Sequence, residues 1–504
     1  MLDEKISEIS EFIENRDIYK AEKILNDIET KDERIDILKG RITVAKSKLN
    51  EAIDIFTSVI AGNPGNKDAY LYRGKIYMSK GNIEKGYQDL KKAYELDSQD
   101  FLIKNSYARA AISNEKYEEA GKLYREIYRY DRSNEVVGYM NSCNKYIVDM
   151  YEKKLDQLTI DDKVQLALAK LNLNESEVAK EILEEINTDA NNVEGLRLYS
   201  SILRDEGKEF EAEQYIDKAL KLDSNNAKLY IAKGMLREAD DDIETALNMY
   251  NKAYEIDDNN LSIPIHLAIT YLKLGDIDKA SEYIEEPIEK NYDIEESLKV
   301  KARILIKKEK YEEAIKVINV ALEKAPWYVD LYIVKIYIYK KMKNYREAFA
   351  VAEEALESGN YDERIGVEKA IILRESGELQ GATDWIEWAL GSDNNHDLSN
   401  YVKCTIEADK ELFDSAIDTY NKISKDTKGL VKYCALMYVY MKQGNDKSII
   451  NLINEVITSN STINDKADVF IDKVNKQSSI LKNDNIHEKV EAYLMDMKKR
   501  GIMQ

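Results

Sequence analysis

Three histidines (His266, His396, His487) and three cysteines (Cys143, Cys404, Cys434) are the residue types here best suited to metal or nucleophile chemistry. A zinc site needs such side chains at close, repeated spacings. None of the six stands at such a spacing to another. The cysteines are sparse and odd in number, so they build no disulfide framework and fit a reducing compartment. Asp-Ser-Asn-Asn at 223–226 and Asp-Asp-Asn-Asn at 257–260 gather oxygen ligands as a calcium loop does. They lack the alternating ligands and closing Glu that such a loop needs, and helix caps favour the same residues. Carboxylate pairs such as Glu312-Glu313 recur wherever a helix has a charged face. No glycine-rich phosphate loop of the Gly-x4-Gly-Lys-Ser/Thr kind is present. These residues predict no metal, no cofactor and no enzyme.

The elements that carry them are helical by composition. The chain has 504 residues, too many for one compact core. It is 44% hydrophobic and 34% charged, with only 4 Pro and 20 Gly, which suits helices with one buried stripe and one wet face. A net charge of −21 repels phosphate backbones and anionic lipid, so the expectation is no nucleic acid and no membrane. The start, Met1-Leu2-Asp3-Glu4-Lys5, has no apolar signal core, and no apolar run approaches the ~18 residues of a spanning helix. A cytoplasmic protein is expected.

A period organises these helices. Ala212, Ala246, Ala280, Ala314, Ala348, Ala382 and Ala416 stand 34 residues apart, and Ala52, Gly86 and Ala120 keep the same step upstream. Twelve residues before these markers lies another small residue, among them Gly40, Gly74, Ala108, Gly234, Ala268, Ala302 and Ala370. Small residues at fixed places let two helices approach closely. Within 295–328, Leu298, Ala302 and Leu305 form one helical face and Tyr311, Ala314, Ile318 and Ala321 a second, with Lys308-Glu309-Lys310 as the turn and Pro326 as the stop.

These residues resemble the tetratricopeptide repeat family. Unit 67–100 carries the family's pattern as Tyr70, Gly74, Tyr77 and Ala93. Unit 227–260 carries it as Tyr230, Gly234, Ala246, Tyr250 and Ala253, and unit 295–328 as Ala302, Tyr311, Ala314, Ala321 and Pro326. The resemblance covers 33–134 and 160–460, with a half-kept unit at 2–32. It implies an all-α fold: a right-handed superhelical α-solenoid of about a dozen antiparallel two-helix repeats. Cys404 falls at a small position, so a buried packing thiol is expected there.

Three departures shape the organisation. Ala120 to Ala179 is 59 residues, which leaves an irregular insert at 135–159. Pro287 falls inside a second helix and should bend or shorten it. The tail 464–504 leaves the pattern but holds two amphipathic segments, one around Val469, Phe470 and Val474 and one with Ile486, Val490, Tyr493 and Met497. The expected division is an N-terminal array 1–134, the insert 135–159, a second array 160–463 and capping helices 464–504.

The family's usual binding surface is the concave groove lined by first helices, so the resemblance assigns groove exposure to positions 2, 5, 9 and 12 of each unit. On those stripes stand Ile265, Ile269, Lys299, Arg303, Ile333, Tyr337, Lys340, Ile371 and Arg374. Apolar residues where water is expected, beside basic ones, suggest a track that grips a peptide. From Lys301 to Arg346 there are twelve basic and five acidic residues, a local net of +7 in an acidic chain. The expected partner is another protein or peptide combining acidic and apolar residues. The family's chaperone-tail clamp is not matched, since Val334 and Glu368 stand where its pattern needs an asparagine and an arginine. The first reading is a scaffold or adaptor that binds a peptide or helix of a partner in the groove. The second is a ligand-responsive, peptide-sensing regulator. Trp385, Trp388 and Trp327 are packing residues in the plainer reading and partner anchors in the sharper one.

Overall fold

The computed structural model describes residues 2–28, 30, 32–189, 192–392, 397–424, 431–458, 462–476 and 486–503. Among them the chain forms twenty-nine α-helices, one short 3-10 turn and no strand. Nearly all the α-helices pair with a chain neighbour across a turn of a few residues, which makes the pairs antiparallel. The marker alanines explain the pairing. Ala212, Ala246, Ala280, Ala314, Ala348, Ala382 and Ala416 are all fully buried at the helix contacts. The turns also repeat. Gly275 and Glu309, one period apart, both take left-handed backbone, at φ 85° and 57°. Glycine does this freely, whereas glutamate does so against its Cβ.

The chain divides into two compact units, Met1–Ala232 and Lys233–Gln504. The first holds α1 (Leu2–Glu14) through α13 (Glu209–Leu222). Its insert is one long helix, α9 (Asn134–Glu152), which packs against both α8 (Tyr117–Ile127) and α10 (Ile160–Asn172). It stands as a single helix between two pairs, and the 34-residue phase is lost there. Cys143 on α9 is fully buried, and burial pushes its thiol up to about 11.

The second unit begins in α14 (Ala227–Ala239) and includes α15 (Ile243–Ile256), the pairs from α16 (Ser262–Leu274) to α27 (Asp446–Val456), and then α28 (Ile463–Lys476) and α29 (Ile486–Lys499). The second helix α17 (Ile277–Glu289) runs through Pro287 for thirteen residues, the length of the proline-free α21 (Tyr345–Glu357), so the proline does not shorten it as expected. The asparagine-rich runs cap and turn: Asn260 Oδ1 accepts from the Ser262 amide at 3.2 Å, and Asp223 Oδ1 accepts from the Asn225 amide at 3.3 Å. Cys404 is fully buried, as a packing thiol. α28 packs on α27, with Phe470 and Val474 buried, and α29 packs chiefly on α26 (Val431–Lys442).

Candidate functional site

Four first helices of the second unit stand side by side: α16, α18 (Ile294–Lys307), α20 (Val329–Lys341) and α22 (Glu363–Ser376). Their caps fix where each begins and ends. Asp362 accepts from the Arg364 amide at the start of α22, and left-handed Gly275 and Gly377 end α16 and α22. The nine residues expected on the groove stripes all lie on these helices, and the structure sorts them into three kinds.

Ile265, Ile371 and Arg374 are packed rather than open, which corrects their expected exposure. Ile265 lies in one apolar cluster with Val300 and Ile304 of the next first helix. Ile371 joins Tyr401 and Val402 of α24 (Asp397–Asp409). The Arg374 guanidinium bonds Thr405 and Glu375 and lies 3.6 Å from Asp409. Neighbouring first helices approach closely enough to cover these positions.

Lys299 and Lys340 are held in ion pairs. Lys299 Nζ lies 2.6 Å from Glu296 and 3.1 Å from Asp330, and it donates to the Tyr328 hydroxyl at 3.0 Å. Tyr328 in turn donates to Glu296 at 2.7 Å, and Arg364 reaches Asp330 at 2.7 Å. Burial works against the Lys299 charge, yet Glu296, Tyr328 and Asp330 outweigh it and hold its pKa above the ordinary lysine value. Burial pushes the Asp330 carboxyl up, but Lys299 and Arg364 outweigh it and hold the carboxyl below the usual range. Lys340 pairs with the buried Glu368 at 2.5 Å. Much of the local positive charge expected from Lys301 to Arg346 is likewise met within the chain: Lys301 by Glu285, Lys310 by Glu313, Lys335 by Glu354.

Ile269, Ile333 and Tyr337 are half-buried, and Arg303 is exposed and makes no ion pair among the described residues. Lys341 Nζ lies 5.6 Å from the centre of the Tyr337 ring. Burial raises the Tyr337 pKa, with Lys341 pulling the other way. These residues form the part of the face that remains available. Lys341, Glu375 and Glu488, missed by stripe counting, also belong to this surface: Glu488 of α29 meets Lys341 at 3.1 Å. The amphipathic spacing of 486–497 was visible in the sequence, but nothing there indicated which surface it would cover.

The tryptophans divide as well. Trp385 lies under the buried Lys369 ammonium, 3.4 Å from the ring centre, and meets Trp388 edge-on at 5.6 Å. Trp388 packs over Gly366, where a Cβ would lie 2.5 Å from the indole. Trp327 is exposed. Among the described residues no three His, Cys, Asp or Glu side chains form a metal-holding group, and His396 lies outside those residues. No described helix is long and apolar enough to cross a membrane.

A tetratricopeptide repeat model matches residues 68–100, and a model described as anaphase-promoting complex, cyclosome, subunit 3 matches residues 239–321. A TPR repeat-containing protein of Methanocaldococcus jannaschii is 25% identical over 329 residues, 57% of this chain and 58% of that protein. The mitochondrial import receptor subunit TOM70 of Homo sapiens is 25% identical over 256 residues, 51% of this chain and 38% of that protein. The chain thus spans 58% and 38% of the length of these two relatives. The solved structure of the Cut9–Hcn1 hetero-tetramer of APC/C aligns with 92% of this chain and 97% of its own at 12% identity and a TM-score of 0.43.

Proposed function

We propose, from a chain that carries tetratricopeptide repeats, that it is a scaffold or adaptor holding a peptide or helix of another protein against its first helices. The observation that supports this is the state of α20. Ile333 and Tyr337 stay half-open on a face whose neighbouring charges are mostly paired off. An apolar and aromatic strip flanked by the exposed Arg303 suits a segment with apolar anchors and an acidic residue. One relative is named as a TPR repeat-containing protein and another as an import receptor subunit, which fits a binding role. The three cysteines are buried and in no disulfide, which fits a reducing compartment and a cytoplasmic protein.

The test is partner capture followed by kinetics. Proteins retained from a native lysate by the wild-type chain are compared with those retained by Tyr337→Ala and by Arg303→Glu. A partner of this face dissociates faster from Tyr337→Ala, by about thirtyfold if Tyr337 is worth ~2 kcal/mol. It associates more slowly with Arg303→Glu, with a flatter salt dependence. Lys299 is left intact, because its network supports the fold. A partner that binds both variants with wild-type rates ends this reading.

A further inference from the structure

The last helix does not continue the repeat. Ile486, Val490, Leu494 and Met497 of α29 follow one another at spacings of four, four and three, which is one helical face, and all are buried. That face lies chiefly against α26, with Phe470 and Val474 of α28 beside it. His487 and Val490 border Cys434, and Val490, Tyr493 and Leu494 border Met437 and Met441. The polar side reaches back to earlier repeats. Glu488 meets Lys341 at the end of α20, and Lys489 meets Glu375 in the last turn of α22, both at 3.1 Å. Lys489 Nζ also lies 5.9 Å from the ring centre of Tyr438 on α26. A single helix therefore touches the first helices of three different repeats. Covering the end of the stack does not require this, since α28 already packs on α27.

α29 has the chemistry that the available face calls for. It brings an acid in its first turn, Glu488, to Lys341, which lies over Tyr337. It brings an apolar stripe to Cys434 and Met437, which are buried beneath it. The contacts of its polar side are partly exposed ion pairs, the kind that holds a helix only loosely.

We infer that α29 is a resident ligand: the surface of α20, α22 and α26 is a docking site for an amphipathic helix. The partner it fits is a protein segment with a first-turn acid and apolar residues spaced four, four and three, which takes the place of α29. This inference rests on the reading of the first-helix face as a binding surface and names the partner's chemistry.

The probe is a fluorescein-labelled synthetic peptide of residues 486–503, added to the full-length chain. Two full-length variants loosen α29. Leu494→Asp spoils its apolar stripe. Glu488→Lys with Lys489→Glu turns both ion pairs repulsive and leaves the core intact, so it serves if the first variant fails to fold. The Cys434 thiol reports undocking through its labelling rate, in chains where Cys143 and Cys404 are replaced by alanine. Wild type should bind the peptide weakly. Both variants should label Cys434 faster and bind the peptide more tightly, the charge-swapped chain by about tenfold, the size expected when two surface pairs of up to ~1 kcal/mol are lost. Adding Lys341→Glu to a chain carrying Glu488→Lys alone should restore slow Cys434 labelling and leave the wild-type peptide unbound, because the peptide's own Glu488 then meets an acid at 341; Glu375 is left intact because it holds Arg374. The inference is overturned if Cys434 becomes reactive and the peptide still does not bind, because α29 is then only a structural cap. It is also overturned if the peptide binds wild type and variants alike. If the peptide fails while a captured protein depends on Arg303 and Tyr337, the groove reading stands and this one falls. If the peptide binds the loosened chains and no captured protein depends on those residues, the reverse holds.

Discussion

The ring of Tyr250 fills the space beside Gly234: a Cβ added to that glycine would lie 2.5 Å from Tyr250 Cε1. Tyr250 is fully buried on α15, stacks on His266 at 4.9 Å and donates its hydroxyl to Glu238 at 2.9 Å. It has nowhere to retreat. Gly234→Ala should therefore destabilise the second unit by about 1–3 kcal/mol, the cost of overpacking a full contact. Gly62→Ala at the end of α4 (Leu49–Gly62) meets nothing within 4 Å and should leave the melting temperature unchanged or slightly raised. Equal losses in the two variants would show that the small position does not mark a close helix contact.

The same contact shows why the repeat was legible in the sequence and parts of the surface were not. A glycine or alanine facing a large side chain admits few substitutes, so the period survives in residue type at Gly234, Ala246 and Ala314. Exposure on the first-helix face depends instead on how closely the next first helix approaches. Ile265 and Ile371 occupy stripe positions, but Val300 and Tyr401 cover them. Arg374 stands at a stripe position too, yet its guanidinium is turned into α24. The docking of α29 joins residues 147 apart, Lys341 and Glu488, and no periodic signal spans that distance.

The turn at Glu309 stores strain that can be removed. Its φ of 57° costs a side chain with a Cβ about 1–2 kcal/mol, which glycine avoids at the expense of ~0.5–1 kcal/mol of chain entropy. Glu309→Gly should raise the stability of the second unit by roughly 0.5 kcal/mol, seen as a higher urea midpoint. Glu312→Gly, exposed in the first turn of α19 (Tyr311–Lys324), should lower the midpoint by a similar amount. A fall with Glu309→Gly would mean that the glutamate makes a contact worth more than the strain.

Arg374 is a structural cation. Its side chain is 1% exposed and lies between Glu375, at 2.7 Å, and Asp409. Removing one partner from a buried charge group strands the others, at a cost of roughly 3–5 kcal/mol. Arg374→Met should cost about that much, while Arg303→Met on the open face should stay within about 0.5 kcal/mol of wild type. Thermal melts of the two variants decide this. An Arg374→Met chain as stable as Arg303→Met would return Arg374 to the list of accessible groove cations.

The Lys299–Asp330 pair predicts how stability responds to pH. Asp330 ionises below its ordinary range in the fold because Lys299 and Arg364 outweigh its burial. A carboxyl depressed in this way stabilises fully above its unfolded value, about 3.9, and that contribution is lost as pH falls through the folded value. Lys299 shifts the opposite way, so its contribution is full below about 10.4 and is lost as pH rises through its raised folded value. Across neutral pH both charges are present and the pair is at full strength. Asp330→Asn should then melt below wild type by a gap that is flat from about pH 5.5 to 9 and narrows below about pH 4, where the wild-type carboxyl begins to protonate as well. The pair is partly buried, so salt near 1 M should reduce the gap at pH 7 only in part. A gap that closes fully in salt would place the pair in open solvent. A gap that widens on acidification would mean that Asp330 is held protonated in the fold, and the network drawn from Glu296 through Lys299 to Arg364 would have to be abandoned.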